Sequence, residues 1–145
     1  MTIKNVTIAG AGTLGSQIAW QTAFKGFNVT VYDAFEKSLE GCKQFHKQFA
    51  KIFLNSRGAS QDEIEQTFKR LTYTTNLKEA VKEADLISES VPEDLNIKKA
   101  FYLELSSLAP EKTIFTTNSS TLLPSQYATE TGRPEKFLAL HFAWC

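Results

Sequence analysis

The sequence predicts an α/β domain with a doubly wound, mainly parallel sheet. Strand-like runs alternate with helix-like segments along the whole chain, and a glycine-rich turn joins the first strand to the first helix. The 145 residues suffice for one domain with an ordinary core. The predicted strands are residues 5–10, 27–33, 71–75, 85–91, 112–117 and 136–142. The predicted helices are residues 14–26, 36–54, 61–69, 77–83, 94–108 and 124–130.

The first three elements follow from residue type and spacing. The run "NVTIAG" is rich in β-branched residues and ends in glycine, which is typical of a strand entering a turn. In "LGSQIAWQTAFKG", Leu14, Ile18 and Thr22 fall on one helical face, and Gly26 is a natural helix terminator. The run "FNVTVYD" alternates in the manner of a second strand.

A long helical excursion follows the second strand. Apolar residues recur there at helical spacing: Leu39, Cys42, Phe45, Phe49, Ile52 and Phe53. Ser60 and Glu63 form a capping-box signature for a further helix at about 61–69. Region 36–70 is therefore longer than a usual crossover. Later in the chain, Pro124 suits the first turn of the helix predicted at 124–130.

Composition excludes several classes of protein. Sixteen basic residues balance sixteen acidic ones, so no global field attracts nucleic acid or an anionic membrane. The apolar runs are too short for a membrane span, and the start of the sequence shows no signal-peptide pattern. Cys42 and Cys145 do not indicate a disulfide framework or a metal cluster. We expect a cytoplasmic protein without a metal site.

The glycine-rich turn is a complete G-x-G-x-x-G motif formed by Gly10, Ala11, Gly12, Thr13, Leu14 and Gly15. It follows a predicted strand and opens a predicted helix, which is the context of the Rossmann dinucleotide-binding fingerprint. Gly10 permits the tight turn, Gly12 lets the backbone approach a pyrophosphate, and Gly15 allows close packing of helix on strand. The amides and positive dipole end of the helix favour phosphate groups.

Asp33 completes the fingerprint and predicts the cofactor. It lies 18 residues after Gly15, at the end of the second predicted strand. A carboxylate there accepts hydrogen bonds from ribose hydroxyls and repels a 2′-phosphate. The next two residues supply no arginine, so the sequence favours NAD over NADP. The alternative is that the glycines serve only a tight strand–helix turn.

Three further motifs resemble one enzyme family. "ESVPEDLNIKKAF", "TTNSSTLLPSQ" and "GRPEKFLALHF" follow the fingerprint in the order and spacing of the L-3-hydroxyacyl-CoA dehydrogenases. The resemblance spans essentially residues 1–145, and it covers only that family's N-terminal NAD-binding domain. The family's helical C-terminal domain, which supplies dimer contacts and part of the active site, is expected to be absent from this chain. The resemblance implies a homodimer for the full-length protein.

The resemblance also implies roles for single residues. Ser120 falls at the family's substrate-contacting serine and His141 at its catalytic histidine, while Glu93 and Lys98 fall where members contact the nicotinamide half of NAD. The implied reaction is NAD-dependent oxidation of an L-3-hydroxyacyl-CoA to a 3-oxoacyl-CoA, in fatty-acid or butanoate metabolism. Trp144 replaces the family's asparagine three residues after the histidine, and the glutamate that pairs with this histidine in the family is expected beyond Cys145. We therefore expect little or no turnover from this chain alone.

The chemistry of the two catalytic candidates agrees with these roles. Removing a hydroxyl proton suits a base with a pKa near neutrality, which imidazole provides, so His141 is the candidate base. The Ser120 hydroxyl could orient the same oxygen. On their own residue types, however, Ser120 could simply cap a turn or the following helix, and His141 could be a buried structural histidine.

Two other features leave alternatives open. Lys43, Lys47 and Lys51 form a basic stripe that could meet the phosphates of coenzyme A or simply be a solvated face. His46 is expected to have a surface or structural role. Rival functions are an NAD-dependent dehydrogenase of another hydroxy or sugar acid, and a non-catalytic nucleotide-binding module.

Overall fold

Six parallel strands form one sheet in the computed structural model, which describes residues 2–119 and 122–140. The strands are β1 (Asn5–Ala9), β2 (Asn28–Tyr32), β3 (Leu71–Thr74), β4 (Leu86–Glu89), β5 (Ile114–Thr117) and β6 (Phe137–Ala139). The helices are α1 (Thr13–Phe24), α2 (Glu36–Ser56), α3 (Gln61–Lys69), α4 (Leu77–Val81) and α5 (Leu95–Leu108). The predicted α/β class with a parallel sheet is confirmed.

The strand order creates a crevice at one edge of the sheet. The order is β3-β2-β1-β4-β5-β6, and every neighbouring pair is parallel. The chain runs outward from β1 to β3 and then returns to lay β4 on the other side of β1. Ligands of open α/β sheets bind outside the carboxyl ends of the strands at such a reversal. In this fold the reversal lies between β1 and β4.

The long excursion is a helical pair packed over α1. Both α2 and α3 contact α1, and both also contact the edge strand β3. Trp20 of α1 is 1% exposed, and its ring centroid lies 5.7 Å from that of Phe53 and 5.3 Å from that of Phe68. The apolar spacing in α2 follows this core at Leu39, Cys42, Phe49 and Phe53, whereas Ile52 is 47% exposed.

Helix capping is local and agrees with the sequence. The Ser60 hydroxyl accepts a hydrogen bond from the Glu63 N–H, and the Glu63 carboxylate accepts one from the Ser60 N–H, so the predicted capping box is present. The Asp94 carboxylate likewise accepts the N–H of Ile97 and caps α5. These caps satisfy first-turn amides that the helices themselves cannot pair.

The prediction of a helix at 124–130 is wrong. The segment forms two 3-10 turns, Pro124–Gln126 and Thr129–Thr131, with Tyr127 between them in a non-helical conformation. The Tyr127 side chain is fully buried and stacks on Tyr102, with 5.5 Å between ring centroids. Burial of this aromatic ring takes precedence over local helix propensity.

The last strand, predicted at 136–142, begins one residue later than predicted, and residues 141 and 142 lie outside the described residues. A third 3-10 turn, Pro134–Lys136, precedes it, Phe137–Ala139 pairs with β5, and the Leu140 N–H donates to the Thr117 carbonyl oxygen at 2.9 Å. Within residues 2–119 and 122–140, no helix has both the length and the apolar character needed to cross a membrane. Over the same ranges, no three His, Cys, Asp or Glu side chains are grouped as metal ligands.

Candidate dinucleotide site

The first and third glycines of the loop are required by close packing. Gly10 has φ +116°, and a Cβ atom there would lie 2.6 Å from the carbonyl oxygen of Ser90. A Cβ atom at Gly15 would overlap the carbonyl oxygen of Gly10 and lie 2.9 Å from its carbon. The loop can therefore sit between β1 and β4 only with glycine at both positions.

The middle glycine has open space in front of it. Gly12 precedes the first residue of α1, and a Cβ atom there would meet nothing within 4 Å among the described residues. Gly12 and Thr13 are exposed, and Leu14 is half-buried against the core cluster that contains Ile18 and Trp20. Among the described residues, no side chain caps this helix end. The first-turn amides have no intrahelical partner, so the end of α1 is suited to bind an anion.

Asp33 is held against the loop on the β2 side. One carboxylate oxygen accepts the N–H of Ala11 at 2.9 Å, and the other accepts the N–H of Phe35 at 2.9 Å. Each carboxylate oxygen has a second acceptor site. The side chain is therefore fixed in place and can still accept the hydroxyls of a ribose.

On the other side of the crevice, β4 ends in a buried carboxylate. Glu89 is 0% exposed, and four donors reach its two oxygens: the Tyr102 hydroxyl at 3.0 Å, the Thr117 hydroxyl at 2.8 Å, the Val91 N–H at 2.8 Å and the Lys98 ammonium at 2.5 Å. Burial and the adjacent Glu89 carboxylate raise the pKa of Tyr102 well above its ordinary value. Tyr102 therefore donates to Glu89 throughout the neutral range.

Lys98 links this buried carboxylate to the surface. Its side chain is 0% exposed, and its ammonium lies 3.2 Å from an oxygen of Glu93, whose side chain is 38% exposed. The second oxygen of Glu93 accepts the Ser119 hydroxyl at 2.8 Å, and the Ser119 oxygen accepts the Leu122 N–H at 3.0 Å. Of the two predicted nicotinamide contacts, only Glu93 reaches the surface.

The two catalytic candidates cannot be placed. Ser120 and His141 lie outside the described residues, as does Trp144, and their roles stay predictions. Ser119, the neighbour of Ser120, follows β5 at the same sheet edge as the glycine loop.

Sequence reasoning missed three residues at this edge. Glu89 and Ser119 belong to the hydrogen-bonded chain just described. Ser90 lies against Gly10, and its buried hydroxyl has no hydrogen-bond partner among the described residues. The signal available was the position of "ES" at the end of a predicted strand beside the glycine loop.

Away from the crevice, His46 is buried rather than exposed, so the surface alternative is wrong. Its Nδ1 lies 2.6 Å from the Tyr73 hydroxyl and its Nε2 lies 2.8 Å from the Ser16 carbonyl oxygen. Burial lowers the pKa of His46 below its ordinary value. The neutral ring therefore connects α2 to α1 and β3 as a structural residue.

The arrangement fits a dinucleotide. An open helix end with unpaired amides lies at the strand-order reversal, the Asp33 carboxylate lies on its β2 side, and a polar surface lies on its β4–β5 side. The orphaned Ser90 hydroxyl at the crevice also agrees with a polar ligand there. Gly10, Ala11, Gly12, Thr13, Leu14, Gly15 and Asp33 all lie around this crevice, as the fingerprint predicts.

Comparisons with known proteins agree with this fit. The family described as 3-hydroxyacyl-CoA dehydrogenase, NAD binding domain, matches residues 5–144. The mitochondrial hydroxyacyl-coenzyme A dehydrogenase of Rattus norvegicus is 34% identical over an alignment of 145 positions, which covers 97% of this chain and 46% of the rat protein. The chain thus spans about half the length of the curated relatives it matches.

Solved structures show the same fold. The 3-hydroxybutyryl-CoA dehydrogenase of Escherichia coli K12 superposes with a TM-score of 0.92 at 30% identity, covering 98% of this chain and 30% of that one. A diketoreductase with dual catalysis of dicarbonyl compounds superposes with a TM-score of 0.92 at 50% identity, covering 99% and 51%. By its sequence match, fold and crevice, this chain belongs to the NAD-binding domain family of the 3-hydroxyacyl-CoA dehydrogenases.

Proposed function

We propose that this chain holds NAD for an enzyme that oxidises an L-3-hydroxyacyl-CoA to a 3-oxoacyl-CoA. The observation that carries the proposal is the open space at Gly12, flanked by Asp33 on one side and by the Glu93–Ser119 pair on the other. The pyrophosphate would lie on the first-turn amides of α1, with the adenosine ribose at Asp33 and the nicotinamide half toward β4 and β5.

Binding is tested by calorimetry with NAD, ADP-ribose and NADP. We expect the chain to bind NAD and ADP-ribose and to bind NADP more weakly, because the Asp33 carboxylate repels a 2′-phosphate. Equal affinity for NAD and NADP would contradict the role of Asp33. Absence of NAD binding would refute the proposal as a whole.

The catalytic step is proposed for residues outside the described ranges. His141 would take the hydroxyl proton of the substrate, and Ser120 would hydrogen-bond the same oxygen and orient it. NAD, when bound, supplies the hydride acceptor. Turnover is tested in a fusion of this chain to the part of the diketoreductase that lies outside the match, since the matched part is 50% identical to this chain. His141→Ala should lower kcat of that fusion by 100-fold or more, on the order of a lost general base, and an active variant would refute the assignment.

A second candidate substrate class is supported by one comparison. The 50% identity to a diketoreductase favours a dicarbonyl or hydroxy-carbonyl compound that carries no coenzyme A. The basic stripe on α2 favours an acyl-CoA, since Lys47 and Lys51 are exposed one helical turn apart. Lys43 is expected to contribute less to phosphate binding, because its ammonium pairs with the Glu40 carboxylate at 3.1 Å.

Coenzyme A binding by the NAD-saturated chain separates these two candidates. We expect coenzyme A to bind, and the double variant Lys47→Glu/Lys51→Glu to weaken it about tenfold by removing attraction to its phosphates. Lys78→Glu, on α4 at the opposite face of the sheet, is the matched control and should have no effect. A chain that does not bind coenzyme A but binds a β-diketone such as 2,4-pentanedione would favour the second candidate, a dicarbonyl substrate without coenzyme A.

Homodimeric assembly of the full-length protein and a cytoplasmic location stay predictions. Several of the relatives, the rat protein among them, are mitochondrial by name. The non-catalytic alternative is tested by the fusion described above, since a binding module would show NAD affinity without turnover.

A further inference from the structure

We propose that Glu89 is a positioning residue that organises the nicotinamide side of the crevice through Lys98. The inference rests on the proposed NAD-binding role and deepens it. Glu89 touches neither solvent nor any surface of the crevice, since its side chain is 0% exposed. Its effect must therefore pass through the groups that it holds.

The first step is the fixed position of Lys98. Both members of the Glu89–Lys98 pair are 0% exposed, so neither charge has water to replace its partner. A buried charge without its partner is strongly unfavourable, and the Lys98 ammonium therefore stays at the Glu89 oxygen. An apolar pair of the same volume could serve packing equally well. What the ion pair adds is a cation aimed at Glu93, 3.2 Å away.

The second step is that Glu89 reaches Ser119 by two routes. One oxygen of Glu89 accepts the Thr117 hydroxyl, and the oxygen of that hydroxyl accepts the Ser119 N–H at 3.2 Å. The other oxygen binds Lys98, which holds Glu93, which in turn accepts the Ser119 hydroxyl at 2.8 Å. The backbone and the side chain of Ser119 are thus both set by one buried carboxylate.

The third step is the location in the crevice of the chain of contacts Glu89–Lys98–Glu93–Ser119, here called the relay. Glu93 and Ser119 follow β4 and β5, whereas Asp33 follows β2 on the far side of β1. A dinucleotide across the crevice would have its adenosine half at Asp33 and its nicotinamide half at Glu93 and Ser119. Loss of the relay should therefore affect the nicotinamide half alone.

The test is Glu89→Gln, read out as the ratio of affinities for NAD and ADP-ribose. The amide nitrogen of glutamine cannot accept hydrogen bonds, so at most one of the two Glu89 acceptor positions survives. We expect NAD affinity to fall about tenfold, ~1.4 kcal/mol, with ADP-ribose affinity unchanged. We also expect the Leu122 amide, which donates to Ser119, to exchange about tenfold faster with solvent.

The matched control is Asp85→Asn, at the opposite end of the same stretch of chain. Asp85 directly precedes β4, accepts the N–H groups of Lys4 and Asn5 at 2.9 Å, and pairs with Lys112 at 2.7 Å. The Asp85→Asn substitution therefore also removes a paired, hydrogen-bonded carboxylate, but it does so at the amino end of β4. It should lower stability while leaving the NAD to ADP-ribose ratio and Leu122 exchange unchanged.

The double variant Glu89→Gln/Lys98→Met separates positioning from stability. Removing both charges leaves no unpaired ion, so the denaturation midpoint should recover relative to Lys98→Met alone. The NAD to ADP-ribose ratio should not recover, because no cation then holds Glu93. Recovery of both quantities would show a merely structural role and overturn the proposal.

The remaining outcomes are also decisive. A wild-type chain that binds neither nucleotide refutes the proposed function. A wild-type chain that binds NAD and ADP-ribose equally overturns this inference but not the proposed function, because the nicotinamide half then adds nothing to the affinity. A Glu89→Gln chain that keeps the wild-type ratio overturns it as well.

Discussion

Gly15→Ala is expected to abolish NAD binding and to lower the free energy of unfolding by about 3 kcal/mol. The added methyl group would overlap the carbonyl oxygen of Gly10, which is backbone and cannot rotate away. Helix α1 must therefore move off the loop, and its first-turn amides move with it. Urea denaturation measures the first effect and calorimetry with NAD the second.

Two other glycines provide matched controls for the same chemical change. Gly12→Ala meets nothing within 4 Å among the described residues, so stability should change by less than about 1 kcal/mol. NAD binding should still be lost, because the methyl group fills the space needed by the pyrophosphate. Gly41→Ala, in the interior of α2, should stabilise the chain by about 0.5–1 kcal/mol and leave NAD binding intact. A Gly12→Ala chain with wild-type NAD affinity would contradict the assigned phosphate position.

Asp33→Arg is expected to invert the cofactor preference. The change removes the acceptor of the ribose hydroxyls, and hydrogen bonds to a charged group contribute about 1.5–3 kcal/mol. NAD affinity should therefore fall about 10- to 100-fold. The guanidinium would at the same time supply a bidentate partner for a 2′-phosphate, so NADP should become the tighter ligand. Calorimetry with both nucleotides measures the inversion.

Asp33→Asn separates charge from shape at this position. The amide can still accept one of the two N–H bonds that Asp33 now receives from Ala11 and Phe35. Its NAD affinity should fall less than that of the arginine variant, and discrimination against NADP should weaken without reversing. Asp62→Asn, at an exposed position in the first turn of α3, should change neither affinity. An arginine variant that still prefers NAD would contradict the ribose assignment.

Prediction from sequence succeeded where the signal is local. The glycine spacing predicted the loop, and Gly10 and Gly15 are indeed the positions where a side chain cannot fit. The Ser60 capping box was equally legible, because its partners lie three residues apart. Patterns of this kind are complete within one or two turns of chain.

Prediction failed where a distant residue decides the local conformation. The segment 124–130 has a proline suited to a helix start, yet Tyr127 turns inward to stack on Tyr102, which is far away in sequence. His46 lies between Phe45 and Lys47 in the sequence, and its ring is buried between Tyr73 and Ser16. Neither partner can be identified from residue spacing alone.

The sequence by itself determined the α/β class, the glycine-rich loop with Asp33 after the next strand, and the family, because each depends on residue types at short, fixed spacings. Only the tertiary structure decided that α2 and α3 pack over α1, and that Lys98 is buried on Glu89 rather than exposed beside Glu93. The physical reason is that a buried ion pair forms only where the packing of strands and helices brings its two residues together, which residue spacing alone does not specify. The Thr117 and Tyr102 hydroxyls complete the site by donating to Glu89, because the parallel sheet and α5 bring them to the same point.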